Sequence, residues 1–322
     1  MWSGTRKPFS RIAIVGVGQV GGATASALVL ASVANEILLV DVNVELRDGQ
    51  VRDLSDVAFS INGGTRVRAA SYREAGQCDI VVITAGSKSE GANLKASGQT
   101  KVELMYRNIS IVRSAVSAMM PFRADTILLV VSNPVDLLTS LALGLSNLPT
   151  SQVLGSGTFL DSVRLRGLVA DSVGVRVAAS SIDVYVLGVQ GDSQIVAWST
   201  ATIGGVPIMK SLAPNAVIKQ SELADKCKKW PQSAVKAKGS TPFGISCVVS
   251  SICSSILFDK RNIRPISHLQ PEYGCCFSLP VVLGRQGIMN TIQMPLDSEE
   301  ADNLARSVKS LKCTLDQICQ DQ

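Results

Sequence analysis

"RIAIVGVGQVGGATASALVLAS", residues 11–32, decides the architecture. Its first five residues, Arg11 to Val15, make a short apolar run with β-branched side chains, the pattern of a strand buried on both faces. Gly16, Gly18 and Gly21 follow in G-x-G-x-x-G spacing around Gln19 and Val20, and an apolar helical stretch opens at once. Glycine at these places permits a tight turn and lets backbone N–H groups and a helix N-terminus approach a pyrophosphate. Alone the motif is weak, because a glycine-rich turn that packs helix on strand and binds nothing looks the same. A second β-rich run, "EILLVD", ends at Asp41, twenty residues beyond Gly21. A carboxylate there accepts hydrogen bonds from ribose hydroxyls and repels a 2′-phosphate, so the pair of runs points to NAD rather than NADP.

Further along, "DIVVITAG" and "TILLVVSNP" repeat the alternation of short β-runs with longer helical segments. That pattern implies parallel strands joined by right-handed helical crossovers, an α/β Rossmann-type doubly wound sheet over residues 1–150. The pattern then changes. "GSGTFLDSVRLRGLVADSVGV" predicts a long helix and "VAASSIDVYVLG" a β-rich stretch, with "VYVLGVQGDSQIVAW" a buried strand running into a turn. Two more helical segments follow, then a late hairpin at "GCCFSLPVVLGRQGI" and an amphipathic helix from about Ser298 to Cys319. Residues 151–322 are therefore expected to form a second domain of α+β character.

Composition narrows the function classes. Of 322 residues, 46% are apolar and 18% charged, without low-complexity runs, which excludes disordered and fibrous classes. "MWSGTRKPFSR" lacks the apolar segment of a secretion signal, and Asn35 and Glu36 break the apolar stretch from Ala23 to Val40. The expectation is a cytoplasmic protein without a membrane partner. The eight cysteines contain no C-x-x-C, and His268 is the single histidine, so neither a disulfide framework nor a metal site is expected. A net charge of +5 is mild for this length. Its densest basic stretch, "DKCKKWPQSAVKAK", fits the solvated face of a helix better than a nucleic-acid surface.

Eight blocks in order carry a resemblance: "IAIVGVGQVGGA", "LLVDVN", "VVITAG", "VVSNPVD", "VLGSGTFLDSVRLR", "VLGVQGDSQIVAWS", "KGSTPFGIS" and "FSLPVVLGRQGI". Together they resemble the L-lactate/malate dehydrogenase family over nearly the whole chain, with the lactate branch the nearer. The resemblance implies NAD as cofactor, held by Gly16, Gly18, Gln19, Val20, Gly21, Asp41, Thr84, Ala85 and Gly86, with Asn133 beside cofactor and substrate. It implies a small substrate bearing a carboxylate, and a homodimer or homotetramer. In that family a histidine passes a proton to the substrate carbonyl, a carboxylate orients it, one arginine grips the substrate carboxylate and another polarises the carbonyl. The orienting carboxylate matches Asp161 and the gripping arginine Arg164, three residues apart on one helix face; the two could instead simply pair with each other as a helix surface bridge. Thr241 matches a pocket-wall residue, or else starts a helix.

Two departures stand out. The family's proton-carrying histidine is expected at Gln190, and an amide donates a hydrogen bond but does not titrate, so it delivers no proton. His268 offers no rescue, since the resemblance places its segment well outside the site, as a surface or interface histidine. The loop "GSKSEGANLKASGQTKVEL" is longer than its family counterpart, and Lys101 stands where the polarising arginine belongs, keeping the charge without the planar fork. Leu94 and Lys95 lie near the specificity position. Without an imidazolium, Asp161 is expected to turn to Lys101 or Arg164. Three readings stay open. One is an oxidoreductase with redirected chemistry and poor lactate dehydrogenase activity, acting on a 2-oxo acid or on an imine that needs no enzyme proton, with Gln190, Asp161 and Lys101 as its reaction-centre residues. Another is a catalytically inactive NAD-dependent sensor or scaffold, similar to the dehydrogenase-like module of ubiquitin E2-variant proteins, which also shows glutamine in this turn. The last is a redox-neutral enzyme in a repurposed pocket.

Overall fold

The computed structural model describes residues 9–61, 63–87, 100–172, 177–211 and 218–320. The chain opens as read: β1 (Arg11–Val15), α1 (Gln19–Leu30), β2 (Glu36–Val40), α2 (Val44–Ser60), β3 (Arg66–Ala69), α3 (Tyr72–Ala75) and β4 (Ile80–Ile83). It continues through α4 (Lys101–Met119), β5 (Ile127–Val130), α5 (Val135–Ser146), β6 (Val153–Gly155) and α6 (Phe159–Ser172). Strands β1 to β6 pair in parallel in the order β3-β2-β1-β4-β5-β6. This is a doubly wound sheet whose direction of winding reverses between β1 and β4.

The central strands are apolar on both faces because both faces are covered. Ile12 and Ile14 face Ala25 and Leu28 of α1, and Val249 and Ile252 further along the chain. Ala13 and Val15 turn the other way, toward Val112 and Val116 of α4 and Leu137 and Leu138 of α5. Each fully buried side chain of this size contributes about 1.5–3 kcal/mol, which explains why the runs read as continuous rather than alternating.

Short strands follow: β7 (Ile182–Asp183), β8 (Val186–Leu187), β9 (Ile195–Val196), β10 (Thr202–Ile203) and β11 (Val206–Pro207), then α7 (Ile208–Ser211), α8 (Gln220–Lys238) and α9 (Pro242–Leu257). The stretch 177–188, expected to be β-rich, holds as strands only the two-residue β7 and β8. Val184 and Val186 are buried as expected, but the pairing with β9 ends at Leu187, and Gly188, at φ +83°, bridges to Ser278 instead. Leu165, Val169, Val184, Val186, Leu223 and Cys227 form a third core beneath this region.

The basic stretch is helix α8, with Leu223 and Cys227 inward and Trp230 49% exposed, in keeping with a solvated helix face. Pro231 sits inside it, and the Ser233 hydroxyl turns back to the Lys229 and Trp230 carbonyls. Strands β12 (Asn262–Gln270), β13 (Cys275–Gly284) and β14 (Gly287–Thr291) then extend the large sheet antiparallel beyond β6, and α10 (Ser298–Gln320) closes the chain with Val308 and Leu311 packed inward. The β13–β14 hairpin and the last helix fall where expected; β12 was not foreseen. Among the described residues no helix is long and apolar enough to cross a membrane.

Candidate functional site

Every motif of the first half leaves the sheet at the C-terminal end of a parallel strand: Gly16–Gly21 after β1, Asp41 after β2, Thr84–Gly86 after β4 and Asn133 after β5. Ligands of doubly wound sheets bind in the crevice outside those ends, at the point where the winding reverses. A cleft of about 1100 Å³ lies there, lined among others by Gly18, Asp41, Ala85, Asn133, Lys101 and Thr241, and also by Gln19 and Val20.

The glycines divide by what surrounds them. A Cβ on Gly16, whose φ is +91°, would lie 2.4 Å from the Ala85 backbone, and one on Gly21 would lie 2.0 Å from the Gly16 carbonyl oxygen. At Gly18 a Cβ would meet nothing within 4 Å. Gly18 is also the N-cap of α1, which has no side-chain cap and no acidic residue in its first turn, so its N–H groups and the positive end of its dipole are left for a ligand. Asp41 Oδ2 accepts the Val17 N–H at 2.7 Å and Oδ1 the Asn43 N–H at 2.9 Å, which holds the carboxylate against the glycine loop. The Thr84 hydroxyl donates to the Gly16 carbonyl at 2.6 Å. An open glycine, an uncapped helix start and a carboxylate one strand over fit a dinucleotide.

The substrate end is assembled from the second half. Asp161 and Arg164, on α6, form an ion pair of 2.9 Å with side chains 3% and 12% exposed, so the bridge is interior rather than a surface bridge. Burial pushes the Asp161 carboxyl up, and Arg164 and then the Gln190 amide hold it down. Its compensating charge thus comes from Arg164. Gln190 follows β8, in a turn between Gly188 (φ +83°) and Gly191 (φ +117°). Asp161, Arg164 and Gln190 form their own cluster and are not among the residues lining the 1100 Å³ cleft; Lys101, Asn133 and Thr241 are. Thr241 stands at the N-cap of α9, yet its side chain makes no cap hydrogen bond. Lys101 is the first residue of α4, whose capping box is built by Thr100 and Glu103. Leu94, Lys95 and most of the expected lid, 88–99, lie outside the described residues.

His268 is not at the surface or an interface. It is 3% exposed in β12; Nδ1–H donates to the Ile266 carbonyl at 3.0 Å, and Nε2 meets Thr291 at 3.0 Å and Gln270 at 2.8 Å. Burial lowers its pKa, so a neutral ring fits this polar cluster within the hairpin. Among the described residues no group of three or more potential ligands gathers for a metal ion.

Two residues escaped sequence reasoning. Asn108 of α4 is 5% exposed; its Oδ1 accepts the Ser87 N–H at 2.7 Å and its Nδ2 donates to the Asn133 carbonyl at 2.8 Å. Asp136 of α5 accepts the Gln190 backbone N–H at 2.7 Å. Asp136 lies within the quoted "VVSNPVD" block, but nothing local reveals a partner 54 residues away.

Comparison with known proteins agrees with this geometry. Residues 10–155 match the NAD binding domain of lactate/malate dehydrogenase, and residues 158–322 its alpha/beta C-terminal domain. L-lactate dehydrogenase A of Rhizopus oryzae is 40% identical over 303 residues, 94% of this chain and 91% of that protein. L-lactate dehydrogenase 1 of Clostridium acetobutylicum is 34% identical over 320 residues, 97% and 99% of the two chains. Among solved structures, a lactate dehydrogenase from a Medee basin deep-sea metagenome library superposes with a TM-score of 0.89 at 30% identity, covering 97% of this chain and 99% of that one. The minor L-lactate dehydrogenase of Enterococcus mundtii, in its ligands-bound form, gives 0.88 at 33%, with the same coverage.

Proposed function

Because the chain belongs to the lactate/malate dehydrogenase family, we propose that it is an NAD(H)-dependent oxidoreductase for a small carboxylate-bearing substrate, in which Gln190 stands at the proton donor's place. Lactate dehydrogenase activity is then weak and the chemistry redirected. The observation that carries this reading is the surroundings of Asp161: its charge is met by the Arg164 ion pair, with the uncharged Gln190 amide adding only a smaller lowering influence, while the chain's single histidine is bonded within the β12–β14 hairpin.

Gly16 to Gly21 and the N-terminus of α1 hold the pyrophosphate, Asp41 the ribose hydroxyls, and Thr84–Gly86 with Asn133 flank the path toward the substrate. NAD(H), when bound, supplies or accepts hydride. Arg164 grips the substrate carboxylate with the guanidinium N–H groups left over from its contact with Asp161, and Lys101 polarises the group being reduced. Gln190 donates a hydrogen bond to that group but no proton. A 2-oxo acid therefore has to draw its proton from water or Lys101. An iminium needs none, since hydride addition to its carbon yields a neutral amine directly. The interior Arg164–Asp161 pair favours a second reading, an NAD-dependent sensor or scaffold, in which the arginine stays committed to Asp161.

The test is a fluorescence titration with NADH followed by absorbance decay with pyruvate, oxaloacetate, other 2-oxo acids and cyclic imines. NADH should bind, imines should be reduced faster than pyruvate, and Gln190→His should raise pyruvate reduction by roughly 10²-fold or more, the usual yield of a positioned acid. Binding without decay on any substrate supports the sensor. Rapid pyruvate reduction by the unaltered protein, unmoved by Gln190→His, would overturn both.

A further inference from the structure

Helix α5 begins two residues after Asn133, and its second residue is a carboxylate that has no counter-ion among the described residues. Asp136 is 3% exposed. Its Oδ2 accepts the Gln190 N–H, while Oδ1 is buried without a partner. The hydroxyl of Ser267, on β12, is likewise buried without a close hydrogen-bond partner and stands beside the same carboxyl group, near enough to act on its charge. A buried charge left half-satisfied costs stability, so its position calls for another account.

The account lies in the turn it touches. On one side Gly188 is fastened to β13, its N–H donating to the Ser278 carbonyl at 2.9 Å and its carbonyl accepting from Ser278 at 3.0 Å. On the other side the Gly191 N–H donates to Gln194 Oε1 at 3.2 Å. Both glycines have positive φ, conformations that place little steric restraint on a glycine backbone. Between these two swivels, Val189 and Gln190 reach α5 through the Asp136 bond. We propose that Asp136 is the positioning residue of this turn: its carboxylate fixes the Gln190 backbone between the glycines and so aims the Gln190 amide at Asp161 and the substrate. The inference rests on the reading of Gln190 given above.

Ionisation of Asp136 then matters to a site whose own Gln190 side chain is not ionisable. Burial pushes the carboxyl up to about 6, against the Ser267 hydroxyl and the Gln190 N–H, which hold it down. From β13, Cys275 and Cys276 face it with thiols pushed up by burial to about 11 and about 12, hence neutral. Among the described residues no lysine or arginine charge acts on it. When the carboxyl takes up a proton, Oδ1 becomes a donor for Ser267, and the bond to Gln190 loses its charge assistance.

Amide hydrogen exchange of segment 184–198 and the affinity of the NADH complex for oxamate, a small non-reducible carboxylate, between pH 5 and 8 test the idea in three proteins. Asp136→Ala should speed exchange at Gln190 and weaken oxamate by tenfold or more, beyond any change in NADH affinity. Asp136→Asn keeps an acceptor for the Gln190 N–H; it should restore protection and lose the inflection near pH 6 that the unaltered protein shows. Unchanged exchange in Asp136→Ala, or an inflection that survives in Asp136→Asn, overturns the proposal. If Asp136→Ala does not fold, the pH profile of Asp136→Asn decides. Failure of the unaltered NADH complex to bind oxamate at any pH would instead count against the carboxylate-substrate reading, and exchange at Gln190 would still judge Asp136.

Discussion

At Gly18 the space a methyl group would take is open, whereas at Gly16 and Gly21 it is filled by backbone. One motif therefore contains two kinds of glycine, those the fold requires and one that a ligand requires. Gly18→Ala should melt within a degree or two of the unaltered protein and bind NADH at least tenfold more weakly, as read by thermal denaturation and fluorescence titration. Gly16→Ala forces a side chain onto the Ala85 backbone at positive φ and should lower the melting temperature outright. Equal melting of the two variants, or undiminished NADH binding by Gly18→Ala, would remove this distinction. These glycines were legible because backbone constraint is written into residue type, and Asp41 because strand length fixes its distance from them. Asp161 and Arg164 were legible only through the block around them. From spacing alone they looked equally like a surface bridge, and it is burial to 3% and 12% that separates the two.

Elements meet at this site through side chains that serve backbone rather than ligand. Asn108 joins Ser87, directly after Thr84–Gly86, to the Asn133 carbonyl, so α4 sets the spacing between the two segments that flank the cofactor's path. Asn108→Ala removes the partner of the Ser87 N–H and of the Asn133 carbonyl, both part-buried bonds, at about 1 kcal/mol for each. The expected result is NADH affinity lowered tenfold or more together with a lower melting temperature. Asn108→Asp keeps the acceptor for Ser87 but not the donor for Asn133, and should fall between the two. An Asn108→Ala protein indistinguishable from the original in both measurements would refute the role. Such residues were invisible in the sequence because a helical asparagine is identified by partners 21 and 25 residues away, which no local pattern encodes. Strand β12 was missed for a related reason: "NIRPISHLQ" mixes Pro, His and Gln into its run, and it forms a strand because β13 and β6 accept it on either side.

Over the whole molecule, Asp136 couples the parallel sheet's helix α5, the β12–β13 hairpin and the Gln190 turn, and its ionisation reaches global stability. Its carboxyl moves from an ordinary 3.8 in the unfolded chain up to about 6 in the fold. The folded state therefore holds this proton more tightly. The stability so contributed is complete below about pH 4 and disappears as pH rises through 6, a change of about 3 kcal/mol. Asp161, also pushed up by burial, adds a slope of the same sign. Glu74 and Asp259, held down chiefly by the Ser71 and Arg285 backbone N–H groups, slope the other way. Those groups are common to the unaltered protein and to Asp136→Asn, so the difference between the two isolates Asp136. Asparagine carries no charge at any pH, and its amide can donate to Ser267 where the carboxylate cannot. Of that change about 1.4 kcal/mol falls between pH 5 and 7.5, so over this interval the variant's melting temperature should rise relative to the original by roughly 2 °C for a chain of this length. Calorimetry at matched ionic strength reads this directly. A melting difference that stays flat across that interval would mean that the carboxyl is charged or neutral in both states alike, and would remove ionisation from the account of the turn.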